Sequence, residues 1–177
     1  MKIIKWILIV LSSLIAFVLV LGLFMSRQYQ IRREIVIDKP SDEVFDYVKH
    51  LKNQDNYSVW NMKDPHKKQV FTGNDGTVGF KNYWNGNDKV GEGEQEITAI
   101  NPGKRVDVTV AFKRPFESTM QSYFTTEAMG NSATKVSWVI YGESSYPMNV
   151  TNIMLDSMLG EDIGKSLDNL KAVLEKP

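Results

Sequence analysis

Ile35-Val36-Ile37-Asp38-Lys39-Pro40-Ser41-Asp42-Glu43-Val44-Phe45 is the stretch on which the fold turns. Its first residues close an alternating run from Tyr29 to Ile37, with Ile31, Arg33, Ile35 and Ile37 against Gln30, Arg32, Glu34 and Val36, an imperfect period of two that predicts a strand. Its second half predicts a helix. Pro40 stands just outside, Ser41 is placed to act as N-cap, and Asp42 and Glu43 fill the first turn, where carboxylates favour the helix dipole. Val44, Phe45, Val48 and Leu51 then recur at three- and four-residue steps and give that helix a core face. Asn53 to Trp60 reads as a second short helix or turn, with Tyr57 and Trp60 tucked under the sheet.

Further along the chain, six short runs are separated by turn residues: Gln69–Thr72, Val78–Trp84, Gln95–Ile100, Val106–Phe112, Thr119–Thr126 and Thr134–Tyr141. The punctuation is Gly73-Asn74-Asp75-Gly76, Asn85-Gly86-Asn87-Asp88, Asn101-Pro102-Gly103, Lys113-Arg114-Pro115 and Gly130-Asn131, all turn chemistry. Links this short favour an antiparallel meander. Val106, Val108, Val110 and Phe112 point one way and Asp107 and Thr109 the other, so one face is buried and one is wet. From about Met148 to Glu175 the spacing predicts a long helix opened by Pro147, with Val150, Ile153, Met154, Met158, Ile163, Leu167, Leu170 and Leu174 on its apolar side. Gly160 and Gly164 inside it predict a kink or a close contact.

At the other end, Trp6 to Met25 is apolar apart from Ser12, Ser13 and Gly22. About 20 such residues span the roughly 30 Å core of a bilayer. The alternative is a cleaved signal peptide. The run exceeds the usual apolar length of such a peptide, and Leu21-Gly22-Leu23-Phe24-Met25-Ser26 offers no A-x-A-like site, which favours a retained span. Residues 1–28 are therefore expected to form a membrane anchor and residues 29–177 one domain. Lys2, Lys5 and the amino terminus nearly balance Arg27, Arg32 and Arg33 across the span, with a slight lean to a cytoplasmic N-terminus and an extracytoplasmic domain on a single-pass membrane protein.

Composition narrows function by exclusion. The formal net charge is zero and basic residues cluster only as local pairs, so no nucleic-acid partner is expected. The absence of cysteine removes disulfides, thiolate catalysis and zinc–thiolate sites. His50 and His66 have no ligand-spaced companions, so no metal site is expected. Asp64 beside His66 could orient a base, yet nothing supplies a nucleophile. His50 ends the first helix, where a cation suits the dipole.

Strand, two short helices, six strands and a long helix, carried by Ile35–Phe45, Gly91-Glu92-Gly93, Lys135-Val136-Ser137-Trp138 and Gly142-Glu143, resembles the SRPBCC superfamily. That superfamily takes in START-like, polyketide cyclase/dehydrase and pollen-allergen-like proteins, and the chain resembles in particular its small bacterial members with an N-terminal membrane anchor. The resemblance implies an α+β helix-grip fold, a curved antiparallel sheet of about six to seven strands around the long C-terminal helix, with a hydrophobic cavity between them. It also implies a bacterial cytoplasmic membrane as the location, and it leaves the chemistry open, because relatives include carriers, receptors, cyclases and chaperone co-activators.

If Val108 and Val110 face inward, neighbouring strands contribute Phe80, Asn82 and Trp84, then Gln95, then Met120, Ser122 and Phe124, and Trp138, and the helix contributes Met154 and Met158, to a pocket wall or to a filled core. Asn82, Gln95 and Ser122 are the informative ones. Burying an unpaired amide or hydroxyl costs about 1–3 kcal/mol, so they must meet a ligand's polar group, each other or trapped water. Glu92, Glu94 and Glu96 share one strand face and are expected to point to solvent. The expected function is binding of a hydrophobic small molecule or lipid, with no catalytic residue, cofactor or metal assigned. The alternatives are a cyclase- or hydrolase-like enzyme in the same cavity, and a protein-interaction module akin to the Hsp90 co-activators.

Overall fold

The computed structural model describes residues 2–176. The order is α1 (Lys2–Phe24), β1 (Gln28–Ile37), α2 (Ser41–Val48), a 3-10 turn (Leu51–Asn56), α3 (Val59–Met62), β2 (Lys68–Thr72), β3 (Lys81–Asn85), β4 (Glu92–Asn101), β5 (Arg105–Arg114), β6 (Ser118–Ala128), β7 (Thr134–Glu143), a second 3-10 turn (Met148–Thr151) and α4 (Asn152–Leu174). All strands pair antiparallel in one seven-stranded sheet of order β1-β7-β6-β5-β4-β3-β2. β2 to β7 form the expected meander, and β1 closes it against β7. Register shifts on β4 at Glu92/Gly93 and Ile97/Ala99 insert extra residues, which bend a strand and add to the curl of the sheet around α4.

Period two governs the sheet as the alternation requires. Val106, Val108 and Val110 of β5 are buried, while Asp107 and Thr109 face out. Glu94 and Glu96 lie on the outer face and both pair with Lys81, and Glu92 accepts from the Tyr83 hydroxyl at 2.8 Å. β7 departs from the pattern: Val139 points outward yet is fully buried, because Arg32 of β1 and Tyr123 of β6 register beside it.

Two helix starts differ from expectation: that of α2 in its cap, and that of α4, which begins at Asn152 after a 3-10 turn over Met148–Thr151. Ser41 is not the N-cap: Pro40 holds that position, its carbonyl already accepts from the Val44 N–H at 3.1 Å, and Ser41 makes no cap bond. The segment after α2 begins as a 3-10 turn whose first amides, Leu51 and Lys52, donate to the Asp75 carboxylate, with Tyr57 buried beneath and Trp60 half-buried. Gly160 makes the expected close contact. The Arg33 guanidinium of β1 lies in the space its missing Cβ leaves and bonds both Asp156 carboxylate oxygens, at 2.9 and 3.0 Å. That ion pair holds the Asp156 carboxyl below the usual carboxylate range and ties α4 to β1 in the phase its buried apolar face adopts.

The phase decides which side of α4 meets the sheet. Leu155, Leu159, Ile163, Leu167, Leu170 and Leu174 turn inward. Met154 and Met158 each precede an inward leucine by one residue, about 100° around the helix. They are 56% and 61% exposed, contrary to the expectation that they face the cavity. Among the described residues, α1 meets the rest at its C-terminal end, where Gly22 is buried and the Leu19 and Gly22 carbonyls accept from Tyr146 and Asn149. The segment Ile3–Phe24 is long and apolar enough to cross a membrane, a property that a membrane span and a signal sequence share.

Candidate functional site

Between the inner face of the sheet and the first half of α4 lies a cavity of about 200 Å³. Strand register builds its wall. Asn82, Gln95, Val110 and Met120 face one another in a row across β3 to β6, and Val108, Ser122 and Ile140 form a second row across β5 to β7. Phe124 and Trp138 are paired across β6 and β7, their rings 4.5 Å apart. Trp84 meets Phe112 edge to face at 5.6 Å. Gly93 registers opposite both, and a Cβ there would lie 2.6 Å from the indole, so its absence lets Trp84 lie flat across β4 and wall the cavity. From the helical side come Trp60, edge-on to Trp138 at 5.7 Å, and Leu159.

The polar lining is mostly paired internally. Gln95 Nε2 donates to Gln54 Oε1 at 3.1 Å, and Trp138 Nε1 donates to Ser122 Oγ at 2.8 Å. Lys67 is a buried cation in the wall, its side chain 4% exposed, and it is neutralised by Asp55 at 2.8 Å. Asp55 in turn accepts from Asn61 and Gln69. Asn82 is the exception. The residue is 2% exposed, and its Oδ1 is wholly buried without a hydrogen-bond partner. Beside the cavity, the Tyr57 hydroxyl is also buried and unpartnered, and burial pushes its phenol well above its usual value.

Neither an acid nor an imidazole lines this space; its titratable groups are Lys67 and Lys89, and Lys89 is exposed at the mouth. Asp64 is occupied as a loop brace, accepting from the His66 and Asn87 backbone amides. The His50 ring covers Gly76, with its Nδ1 3.7 Å from Asp75. Among the described residues, no group of His, Asp and Glu is arranged to hold a metal ion.

The structure thus brings together Asn82, Trp84, Gln95, Val108, Val110, Met120, Ser122, Phe124 and Trp138. Phe80 is not among them: it stacks on Phe71 at 6.1 Å outside the cavity, because it precedes β3 at the far end of that strand. Met154 and Met158 are absent too, for the reason of helical phase given above, and Leu159 stands where they were expected. Gln54, Ser58, Asn61, Lys67, Lys89 and Val90 also line the cavity and come from segments with no strand periodicity. For Gln54 and Ser58 a signal exists, since they sit one turn apart beside the tucked aromatics. Lys67 and Lys89 carry none.

Comparison with known proteins fits this architecture. The family model described as polyketide cyclase / dehydrase and lipid transport matches residues 28–175. No curated protein matches the chain. Among solved structures, truncated norcoclaurine synthase from Thalictrum flavum superposes with a TM-score of 0.66 at 10% identity, covering 86% of this chain and 98% of that one. A Chromobacterium violaceum protein does so with a TM-score of 0.60 at 16% identity, covering 84% and 98%. A Mesorhizobium loti protein gives 0.58 at 14%, covering 82% and 96%. Identities this low speak for a shared fold alone, but the family match spans nearly all of the chain beyond α1, and with it the chain belongs to the polyketide cyclase/dehydrase and lipid transport family of the SRPBCC superfamily.

Proposed function

We propose that this protein binds a small apolar molecule carrying one hydrogen-bond donor, and that α1 is retained and holds the binding domain, residues 29–177, on a membrane. The observation that carries the ligand is the apolar cavity with Asn82 in its wall, a buried residue whose Oδ1 has nothing to accept from. Such an orphan is costly, by about 1–3 kcal/mol, and a hydroxyl or amide of a bound molecule offsets it. Size narrows the class. A dry cavity of about 150 Å³ admits benzene, and pockets for drug-sized ligands run from about 300 Å³ upward. A space of about 200 Å³ therefore suits one or two rings, or the end of a single acyl chain, and is too small for a whole membrane lipid. The lining contains no carboxylate or imidazole, which supports binding over acid–base chemistry.

Native mass spectrometry of detergent-extracted full-length protein tests this. A co-purified molecule of one or two rings with a hydroxyl or amide is the expected result. A protein that emerges empty and takes up neither naphthol nor naphthalene on addition overturns the reading.

A further inference from the structure

Strand register gathers five connections at one end of the sheet: the α1–β1 junction, the segment from α3 into β2, the β3–β4 and β5–β6 loops, and the segment leading from β7 into α4. This is the end from which α1 departs. The last turns of α1 are held by side chains from elsewhere. Asn149 Nδ2 donates to the carbonyls of Gly22 and Met25, at 2.7 and 2.9 Å, and Asn152 Nδ2 donates to those of Ser26 and Arg27, both at 3.1 Å. The bond to Gly22 caps a carbonyl that the helix terminus leaves free, and the others hold the link from α1 to β1. The Tyr146 hydroxyl donates to Leu19 O at 3.2 Å, five residues before the helix ends, so this loop lies alongside about 8 Å of α1. Gly22 is buried under it, and a Cβ there would lie 3.1 Å from the Tyr146 ring.

Several large apolar side chains are exposed at this end of the domain. Phe116 at the tip of the β5–β6 loop is 81% exposed and Ile153 at the start of α4 is 70% exposed, with Met148 close to the clamp. Part of the cavity lining belongs to this end: Lys89, which is exposed, and the half-buried Val90 of the β3–β4 loop, with half-buried Met120 at the start of β6. Charges on these connections are of both signs: Arg114 with Asp88 and Glu92, Arg27, Lys68 and Lys89, Glu117 beside Phe116, and Glu143 ending β7.

We infer that this end of the domain is a membrane-docking face, which lies on the bilayer crossed by α1, with Phe116 and Ile153 inserted at the level of the lipid headgroups. The clamp gives the domain one orientation relative to α1, and with α1 in the bilayer no other surface is as near to it. Tyr146 then stands where interfacial aromatics stand. The mixed charges make insertion of apolar side chains the driving force, so neutral lipid suffices. The cavity mouth faces the bilayer, and an apolar ligand passes between lipid and cavity without crossing water. This inference rests on α1 being a retained span.

Because the chain has no cysteine, one introduced cysteine gives a unique label. Full-length F116C, I153C, K104C and L14C, each spin-labelled in phosphatidylcholine vesicles, are compared for collision with oxygen, which partitions into lipid, and with a water-soluble nickel complex. Oxygen is expected to dominate at positions 14, 116 and 153, and the nickel complex at position 104, in the β4–β5 turn at the opposite end. A lipid-like label at 14 with a water-like label at 116 or 153 overturns the docking face and leaves the anchor standing. A water-like label at 14 overturns the anchor and the docking face with it.

Discussion

The two halves of α4 meet the same sheet in opposite ways. From Ile163 onward every inward side chain, Ile163, Leu167, Leu170 and Leu174, is buried against Ile31, Ile37, Val106 and Val136, and α2 adds Val44 and Val48. Before Gly160, Leu155 and Leu159 remain half-buried, and Leu159 lines the same open space as Asn82, Gln95, Val110 and Met120. Helix phase is common to both halves. What differs is the layer that fills the gap, because α2 delivers branched apolar side chains at one end, whereas the 3-10 turn and α3 deliver Gln54, Ser58 and Asn61 at the other. A void forfeits contacts that a packed interior keeps, so the hollow half is held at a cost and the packed half carries the fold.

The largest expected effect is in the packed half. Leu170→Ala should cost about 2–5 kcal/mol in urea denaturation of residues 29–177, since it opens a cavity where none exists. A loss below about 1 kcal/mol would erase the contrast, and a fragment that does not fold would overturn the division at residue 29. Insertion reads the difference from the other side. Val106→Phe should overpack and cost about 1–3 kcal/mol, while Val110→Phe should leave stability nearly unchanged and abolish naphthol binding, which thermal melts and fluorescence titration report together.

Removing orphaned polar groups sharpens the comparison at its boundary. Asn82→Leu should stabilise the domain by about 1 kcal/mol and cancel a preference of about two- to tenfold for naphthol over naphthalene. Tyr57→Phe tests the neighbouring hydroxyl by pH. Burial raises the Tyr57 phenol above its ordinary 10.0, so its neutral form is favoured in the fold, and that contribution is complete below pH 10 and declines as pH rises beyond it. Between pH 9 and 11 the parent should lose more stability than the Tyr57→Phe variant, by about 1 kcal/mol. Parallel curves would mean that the hydroxyl finds a partner in solution.

The smallest effect belongs to the exposed pair that ties α4 to β1. Arg33 holds the Asp156 carboxyl below its ordinary range, so the pair is intact at neutral pH and lost only as pH falls through and beneath that range. Asp156→Asn should remove this acid-side decline from denaturation curves while changing neutral-pH stability little.

Sequence alone determined a good deal of this protein. Period-two alternation and turn chemistry located β1 and the strands from β2 to β7, and the inward row from Asn82 to Trp138 followed from alternation, because strand side chains can only alternate faces. The apolar length of Trp6 to Met25 likewise needed no fold to be recognised. Tertiary structure decided the rest. Met154 and Leu155 are equally apolar neighbours, and it is the packing of α4, with Ile163, Leu167 and Leu170 buried against the sheet and the Arg33 guanidinium lodged beside Gly160, that turns Leu155 inward. Whether the inner row encloses a core or a cavity depended on which segment crosses over it, and Gln54, Ser58 and Lys67 reach that place through a turn and a loop without periodicity. Local pattern fixes the direction of a side chain within its own element, but the occupancy of the space it points into is set by elements distant in sequence, whose approach depends on packing and not on spacing.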